Sequence, residues 1–312
     1  MPNPVYPSLP MSYAEFVAFR RSLPRTPRLE RQNVRARGVT FAVFTSPPAG
    51  NELPLVCING GMLYDHSMLW PALSPLAAHR QVILYDQRGR GASSAPADPS
   101  AASIDDDALD VAAIRRALGI RRWDVLGHSW GGGIAMLASA NDSAGVRRLA
   151  LVDSVGPTSD WMAPLRAAVL HRLHGAERER VAQVSDAMLG APDPALHSEY
   201  SRAVYPAWFA DGEMASRFTP PSAISETGAA VLARLRREGY DWRPRLRAFS
   251  IETLVLHGEV DPLPLTVSSE LSYILPNARH AVVPSSGHMP FWEAPERFFT
   301  LLESFFSPPF LS

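Results

Sequence analysis

Gly127-His128-Ser129-Trp130-Gly131 decides how this chain is read. The five residues follow an apolar run, Trp123-Asp124-Val125-Leu126, and open a run of small residues over 132–140. That order is strand, sharp turn, helix. A serine on such a turn is held in a strained backbone with its hydroxyl exposed at the edge of a sheet. Gly127 and Gly131 carry no Cβ, so strand and helix can approach each other closely.

Outward from this turn, strand-like and helix-like segments alternate. Downstream, a strand over 146–152 ends at Asp153. Upstream, residues 31–46 read as two short strands turning at Gly38. The run over 53–58 is continuously apolar, as expected of a strand covered on both faces, and ends in Asn59-Gly60-Gly61. A helix is expected over 68–78, then a strand over 81–85 ending in Asp86-Gln87-Arg88-Gly89. Residues 103–118 form a helix capped by Ser103, with Asp105, Asp106 and Asp107 in its first turn and Arg115 and Arg116 in its last. Alternation stops after Asp153. Helical patches follow at 162–173, 178–189 and 229–238, with no strand between Pro157 and Ala248. It resumes with a strand over 253–256, a loop reaching Asp261, a helix over 265–274, a strand over 280–283, a loop ending in His288, and a helix over 295–305. This predicts an α/β fold: a mainly parallel, doubly wound sheet with a helical cap insertion. The core takes residues 31–156 and 249–312, and the cap takes 157–248. Residues 1–30 are proline-punctuated, with a short helix over 12–23. Ligands bind such sheets beyond the C-terminal ends of the strands. Asn59-Gly60-Gly61, Asp86, Ser129, Asp153, Asp261 and His288 all fall there.

Composition narrows the function classes. Of 312 residues, 46% are hydrophobic and 20% charged, the balance of a globular protein. Net charge is −1 and no basic run occurs, so nucleic acid is not an expected partner. No stretch of about 18 apolar residues marks a membrane span. The N-terminal residues lack the basic start and apolar core of a signal peptide, so the cytoplasm is the expected location. The single cysteine, Cys57, excludes an internal disulfide and reads as a buried, inert thiol. No His-x-x-x-His or paired-cysteine spacing appears, so no metal and no cofactor are expected. The expected partner is a small-molecule substrate.

A free serine hydroxyl is a poor nucleophile at neutral pH and needs a base. His288 stands at the correct sheet edge to serve Ser129. Working at the ordinary histidine value, it would give an acid limb of activity at about pH 6–7. A carboxylate must orient that base. Asp261 gives the chain order Ser, Asp, His, and Asp153 is its main competitor. His128 and His257 read as packing residues. Charge developing on a carbonyl oxygen needs preorganised N–H donors. The backbone N–H of Trp130 is one, and that of Gly61, with Met62 as the neighbouring choice, is the second.

These motifs resemble the α/β-hydrolase fold over nearly the whole chain. Within it, Asp86-Gln87-Arg88-Gly89 together with Gly127-His128-Ser129-Trp130-Gly131-Gly132 resembles the prolyl iminopeptidase branch, as does the cap position. Two departures stand out. Family peptidases usually carry His-Gly-Gly-Pro-Gly where this chain has Asn59-Gly60-Gly61-Met62-Leu63, and Gly-Gly-Ser-Trp-Gly at the serine turn. The resemblance implies a serine hydrolase. Those peptidases hold a substrate amine with cap carboxylates. Here Asp211, Glu213 and Glu226 are available for that task, whereas Trp161, Tyr205, Trp208 and Phe209 would instead line an apolar pocket. The apolar reading is preferred. It gives a hydrolase that cleaves a carboxylic ester, or a small amide, through an acyl-enzyme on Ser129. A proline-type aminopeptidase is the first alternative. A non-catalytic binding protein on the same fold is the second, and it would require a broken triad.

Overall fold

Eight strands run through the described residues. They are β1 (Glu30–Ala36), β2 (Val39–Thr45), β3 (Leu55–Ile58), β4 (Val82–Tyr85), β5 (Trp123–His128), β6 (Val146–Val152), β7 (Glu252–Gly258) and β8 (Ala278–Val283). The computed structural model describes residues 26–218 and 223–307, with Ala14 and Ala18. Those two alanines are helical and exposed; the rest of the helix expected over 12–23 lies outside the described residues. β3, β4 and β5 are buried along their whole length, which is why β3 and β4 read as continuous apolar runs. β1 is mostly exposed and polar, as suits a sheet edge.

The strands lie in the order β1-β2-β4-β3-β5-β6-β7-β8. β1 and β2 are antiparallel to each other, and β2 to β4; the remaining pairs are parallel. From β3 the chain moves outward to β4, then crosses back to β5 on the other side of β3. The crevice beyond β3 and β5 is therefore a switch point of the topology, where such sheets bind ligands. Asn59-Gly60-Gly61 leaves β3 at that crevice and Ser129 leaves β5.

Helices α1 (Ile104–Ala117) and α2 (Trp130–Asn141) follow β4 and β5. Ser103 Oγ accepts the Asp106 N–H at 3.2 Å, and Gly119 closes the helix at φ +69°. α2 is apolar and buried nearly all round, which matches its run of small residues. The helix expected over 68–78 is absent. Two short 3-10 turns, His66–Met68 and Ser74–Ala78, replace it, because Pro71 and Pro75 remove backbone donors that a continuous helix needs.

Between β6 and β7 stand α3 (Met162–Arg172), α4 (Gly175–Gln183), α5 (Asp186–Leu189), α6 (Pro194–Val204), α7 (Gly212–Arg217), α8 (Glu226–Glu238) and α9 (Arg243–Leu246). They form the helical cap. Val169, Leu173, Val181, Ala203, Val204 and Ala207 give it a small core of its own. The single patch expected over 178–189 is divided between α4 and α5. Then α10 (Leu265–Ile274), α11 (Pro290–Glu293) and α12 (Pro295–Phe306) complete the chain. The sheet is covered on both faces, by a core that includes Ile114 and Ile134 and by another that includes Phe298 and Phe299. Among the described residues, no helix is long and apolar enough to cross a membrane. Cys57 is buried and unpaired, and burial pushes its thiol up, which keeps it inert.

Candidate active site

Ser129 sits at φ +55° and ψ −123°, a backbone region that costs a non-glycine residue about 1–3 kcal/mol. Its surroundings hold it there. Its N–H donates to the Val152 carbonyl at 2.9 Å, and its carbonyl accepts from Gly132 at 2.9 Å and Val155 at 3.2 Å. Glycine is required on both sides of the crevice. A Cβ on Gly131 would strike the Ile58 and Asn59 carbonyls, and one on Gly60 would lie 2.5 Å from the Ser129 Cβ. Trp130 is the first residue of α2, so its N–H has no acceptor within the helix.

His288 Nδ1 lies 2.7 Å from Asp261 Oδ2, and both side chains are buried. The Nδ1–H donates to the carboxylate, which leaves Nε2 as a proton acceptor. Burial lowers the His288 pKa from 6.5 to about 3, so the ring is neutral at neutral pH. Asp261 Oδ1 accepts the Leu263 N–H at 2.8 Å, and this fixes the loop. Asp153 stands beside this pair. It is fully buried at φ +44° and accepts the Gly258 N–H at 2.7 Å. Its carboxyl, that of Asp261 and the His257 ring offer atoms within 4.8 Å of one another. Burial raises both acids, and the neighbouring charge of Asp261 raises Asp153 further. Both Asp261 oxygens accept N–H donors, from His288 and Leu263, whereas Asp153 Oδ2 meets no donor among the described residues; this places a retained proton on Asp153 and leaves Asp261 to face His288 as a carboxylate.

Two histidines read as packing residues hold this loop. His128 Nε2 donates to the His288 carbonyl at 2.9 Å, and His257 Nε2 donates to the Leu263 carbonyl at 2.9 Å. Burial lowers them to about 3 and about 4, so both stay neutral. The cap grips the same loop. The His288 N–H donates to the Trp208 carbonyl at 2.7 Å, and the Trp208 ring lies 4.3 Å from the imidazole. Glu293 of α11 is buried and accepts N–H groups of Ala210 at 2.7 Å and Met289 at 3.1 Å. Burial pushes its pKa up to about 7. Arg172, at the end of α3, donates to the carbonyls of Ala207 and Val260. Sequence reading missed Glu293 and Arg172; both link cap to loop through backbone groups, which leave no side-chain pattern.

The loop after β3 is braced from below. Asn59 Nδ2 donates to the Tyr64 carbonyl at 3.2 Å, and Gln87 Nε2 to the Asn59 carbonyl at 2.9 Å. Arg90, fully buried, donates to the Met62 carbonyl at 2.9 Å while paired with Asp107 at 2.9 and 3.1 Å. Burial, opposed by Arg90, raises Asp107 to about 6. Gly61 lies at φ +67°. Asp86 is engaged here as well: it accepts from His66 and Ala92, and so shapes the loop rather than lining the cavity.

Ser129 and His288 face a cavity of two lobes. The outer lobe, about 140 Å³, also touches Gly61, Met62, Trp130, Trp161 and Trp208. The inner one, about 90 Å³, adds Gly60, Tyr64, Met68 and Tyr205. Most residues expected at the site are thus together. Three are not. Phe209 packs into the core against Tyr205 and Phe218, and it lines neither lobe. Glu213 is exposed in the first turn of α7, and Glu226 is exposed in the first turn of α8, where acidic residues complement the helix dipole. Asp211 caps α7 through the Glu213 N–H at 2.8 Å. None of these acids lines either lobe. Instead α6, which sequence reading passed over, brings Tyr200 and Ser201 to the outer lobe. Asp193-Pro194 was its signal: Asp193 Oδ1 accepts from Ala195 and Leu196 at 3.0 Å each, and Pro194 opens the helix.

A family model described as the alpha/beta hydrolase fold matches residues 54–295. The chain belongs to that family. It is a hydrolase by descent, and its relatives differ in what they cleave. It is 33% identical over 231 residues to a 2-hydroxymuconate semialdehyde hydrolase of Pseudomonas putida, covering 72% of this chain and 76% of that protein. It is 26% identical over 274 residues to a proline iminopeptidase of Lactobacillus delbrueckii subsp. bulgaricus, covering 81% and 90%. Among solved structures, an esterase from Exiguobacterium antarcticum superposes with a TM-score of 0.65 at 21% identity, covering 89% of this hydrolase and 99% of that chain.

Proposed function

We propose that this hydrolase cleaves carboxylic esters through an acyl-enzyme on Ser129. The observation that carries the reading is one cavity wall shared by Ser129 and His288, with His288 held by Asp261 at 2.7 Å. Neutral His288 takes the Ser129 proton as Oγ attacks the substrate carbonyl. The N–H groups of Trp130 and Gly61 receive the developing oxyanion. The imidazolium, stabilised by Asp261, returns its proton to the departing alkoxide. Water then attacks the acyl group by the same route. Two lobes meeting at Ser129 suit an acyl group on one side and a leaving group on the other.

The aminopeptidase alternative needs a carboxylate facing the substrate amine. Among the described residues, the lining of both lobes contains no aspartate or glutamate. A charged amine buried there would be unpaired and costly. The test is a comparison of 4-nitrophenyl acyl esters with prolyl-4-nitroanilide. Ester turnover should clearly exceed arylamide turnover, and Glu213→Gln and Glu226→Gln should leave it within a few-fold. Efficient cleavage of the unblocked prolyl arylamide, lost on N-acetylation and in either Gln variant, would make the aminopeptidase reading correct.

A further inference from the structure

We infer that the outer lobe holds an anionic group of the substrate, a carboxylate in its simplest form, at Arg166 and Arg236 of the cap. This rests on the reading of Ser129 as the nucleophile and adds the charge of what it cleaves. Three cap helices converge on one polar corner: α3 supplies Arg166, α6 supplies Tyr200 and Ser201, and α8 supplies Arg236. The remaining wall is largely apolar, with Val155, Met162, Leu165 and Leu232 among its residues.

Neither guanidinium is neutralised inside the lobe. Arg166 donates to the carbonyls of Val184 at 2.6 Å and Val181 at 3.2 Å, and to the Tyr200 hydroxyl at 3.3 Å. These acceptors are neutral; they fix its planar head without cancelling its charge. Arg236 pairs at 3.0 Å with Asp186, but that side chain is 72% exposed, so water screens the pair. Arg236 Nε is buried and has no hydrogen-bond partner among the described residues. A buried donor left unmade is destabilising, and more so on a charged group. Arg236 lines the lobe, so an anion bound there can draw this unmet donor toward it. Two guanidiniums in a mainly apolar lobe with no acidic residue in its described lining favour an anion over a neutral acceptor. Arginine's planar fork also suits carboxylate geometry. An apolar wall with an anion-binding corner fits an acyl or leaving group that is a short hydrocarbon chain ending in a carboxylate.

The experiment compares mono-4-nitrophenyl glutarate with 4-nitrophenyl pentanoate, which differ chiefly in the terminal charge. On the full-length protein the glutarate ester should be preferred at least tenfold in kcat/KM, chiefly through a lower KM. Arg236→Gln and Arg166→Gln should each pull the ratio toward one, and Arg236→Lys should restore part of it. A ratio at or below one in the unmodified protein, or Gln variants that lower both esters alike, would make the arginines struts of the cap and overturn the inference. Glutarate itself supplies a readout that needs no turnover. It should quench the fluorescence of Trp161 and Trp208 saturably, with affinity at least tenfold weaker in Arg236→Gln. If neither ester is cleaved, the nucleophile reading fails, while glutarate binding still decides the anion site. Arginine-dependent binding upholds the site, and binding that is absent or indifferent to both arginines overturns it.

Discussion

Asparagine at position 261 and asparagine at position 153 should have very different consequences, although the two aspartates lie side by side. At the outer limit of 4.8 Å, two unit charges at an effective dielectric of about 20 repel by about 3.5 kcal/mol, or roughly 2.5 pKa units. Both acids are fully buried, which adds to the cost of ionising the second. One proton is therefore retained, and the geometry places it on Asp153, whose Oδ2 meets no donor among the described residues while both Asp261 oxygens do. Asp153→Asn replaces a neutral acid by a neutral amide that can still donate to Asp261 and accept from Gly258. Its kcat/KM should stay within about tenfold of the parent. Asp261→Asn removes the anion that orients His288 and stabilises its imidazolium. The loss should be on the order of 10⁴ in kcat, about 5.4 kcal/mol of transition-state stabilisation. The assay is steady-state hydrolysis of a 4-nitrophenyl ester, with thermal melts to show that both variants are folded. A loss in Asp153→Asn as large as that in Asp261→Asn would refute the assignment of the proton and move the orienting carboxylate to Asp153.

Other outcomes follow from the same geometry. His288 must be neutral to accept the serine proton, so activity is present above its pKa and lost as the pH falls through it. Burial lowers that pKa, so the acid limb of kcat/KM should lie below the ordinary value of 6.5 rather than centred on the pH 6–7 expected from sequence; a limb at or above 6.5 in a pH–rate profile would contradict this. Stability carries the same sign. The unfolded chain protonates His128, His257 and His288 near 6.5 and the folded chain only near 3 to 4, so stability falls as the pH drops through that window. Glu293 and Asp107 act in the opposite sense, so the discriminating measurement is the acid-side slope of the melting temperature, which should be shallower in His257→Gln. Gly60→Ala should cost at least tenfold in kcat, because the new Cβ would lie 2.5 Å from the Ser129 Cβ and 3.1 Å from its Oγ; near-normal turnover would show that the crevice can widen.

Local chemistry made much of this molecule legible before its structure. The serine turn and its glycines, the caps of α1 and the fully apolar β3 each follow from a few adjacent residues. The placing of Ser129, Asp261 and His288 beyond strand ends was legible as well, from the alternation of strands and loops. Legibility ended where distant segments meet. Glu293 and Arg172 act on backbone groups of the cap and the His288 loop, which no side-chain spacing announces. The proton shared by Asp153 and Asp261 is a property of two loops that the sheet brings together. In the cap, aromatic residues were read as pocket lining, yet Phe209 serves the core while Trp161 and Trp208 reach the cavity. Amphipathic periodicity tells which face of a helix is buried, not whether it is buried against protein or against a ligand.

Covalent labelling tests the central claim most directly. The intact protein is treated with a fluorophosphonate, its mass is measured, and the adduct is located after trypsin digestion. Cleavage at the arginines flanking this segment releases Trp123–Arg147, which contains Ser129, Ser139 and Ser143. We predict a single adduct, on Ser129, that is lost together with ester turnover in Ser129→Ala. A folded, ester-cleaving protein that takes no label, or one labelled at Ser139, Ser154 or Ser286, would contradict the acyl-enzyme account.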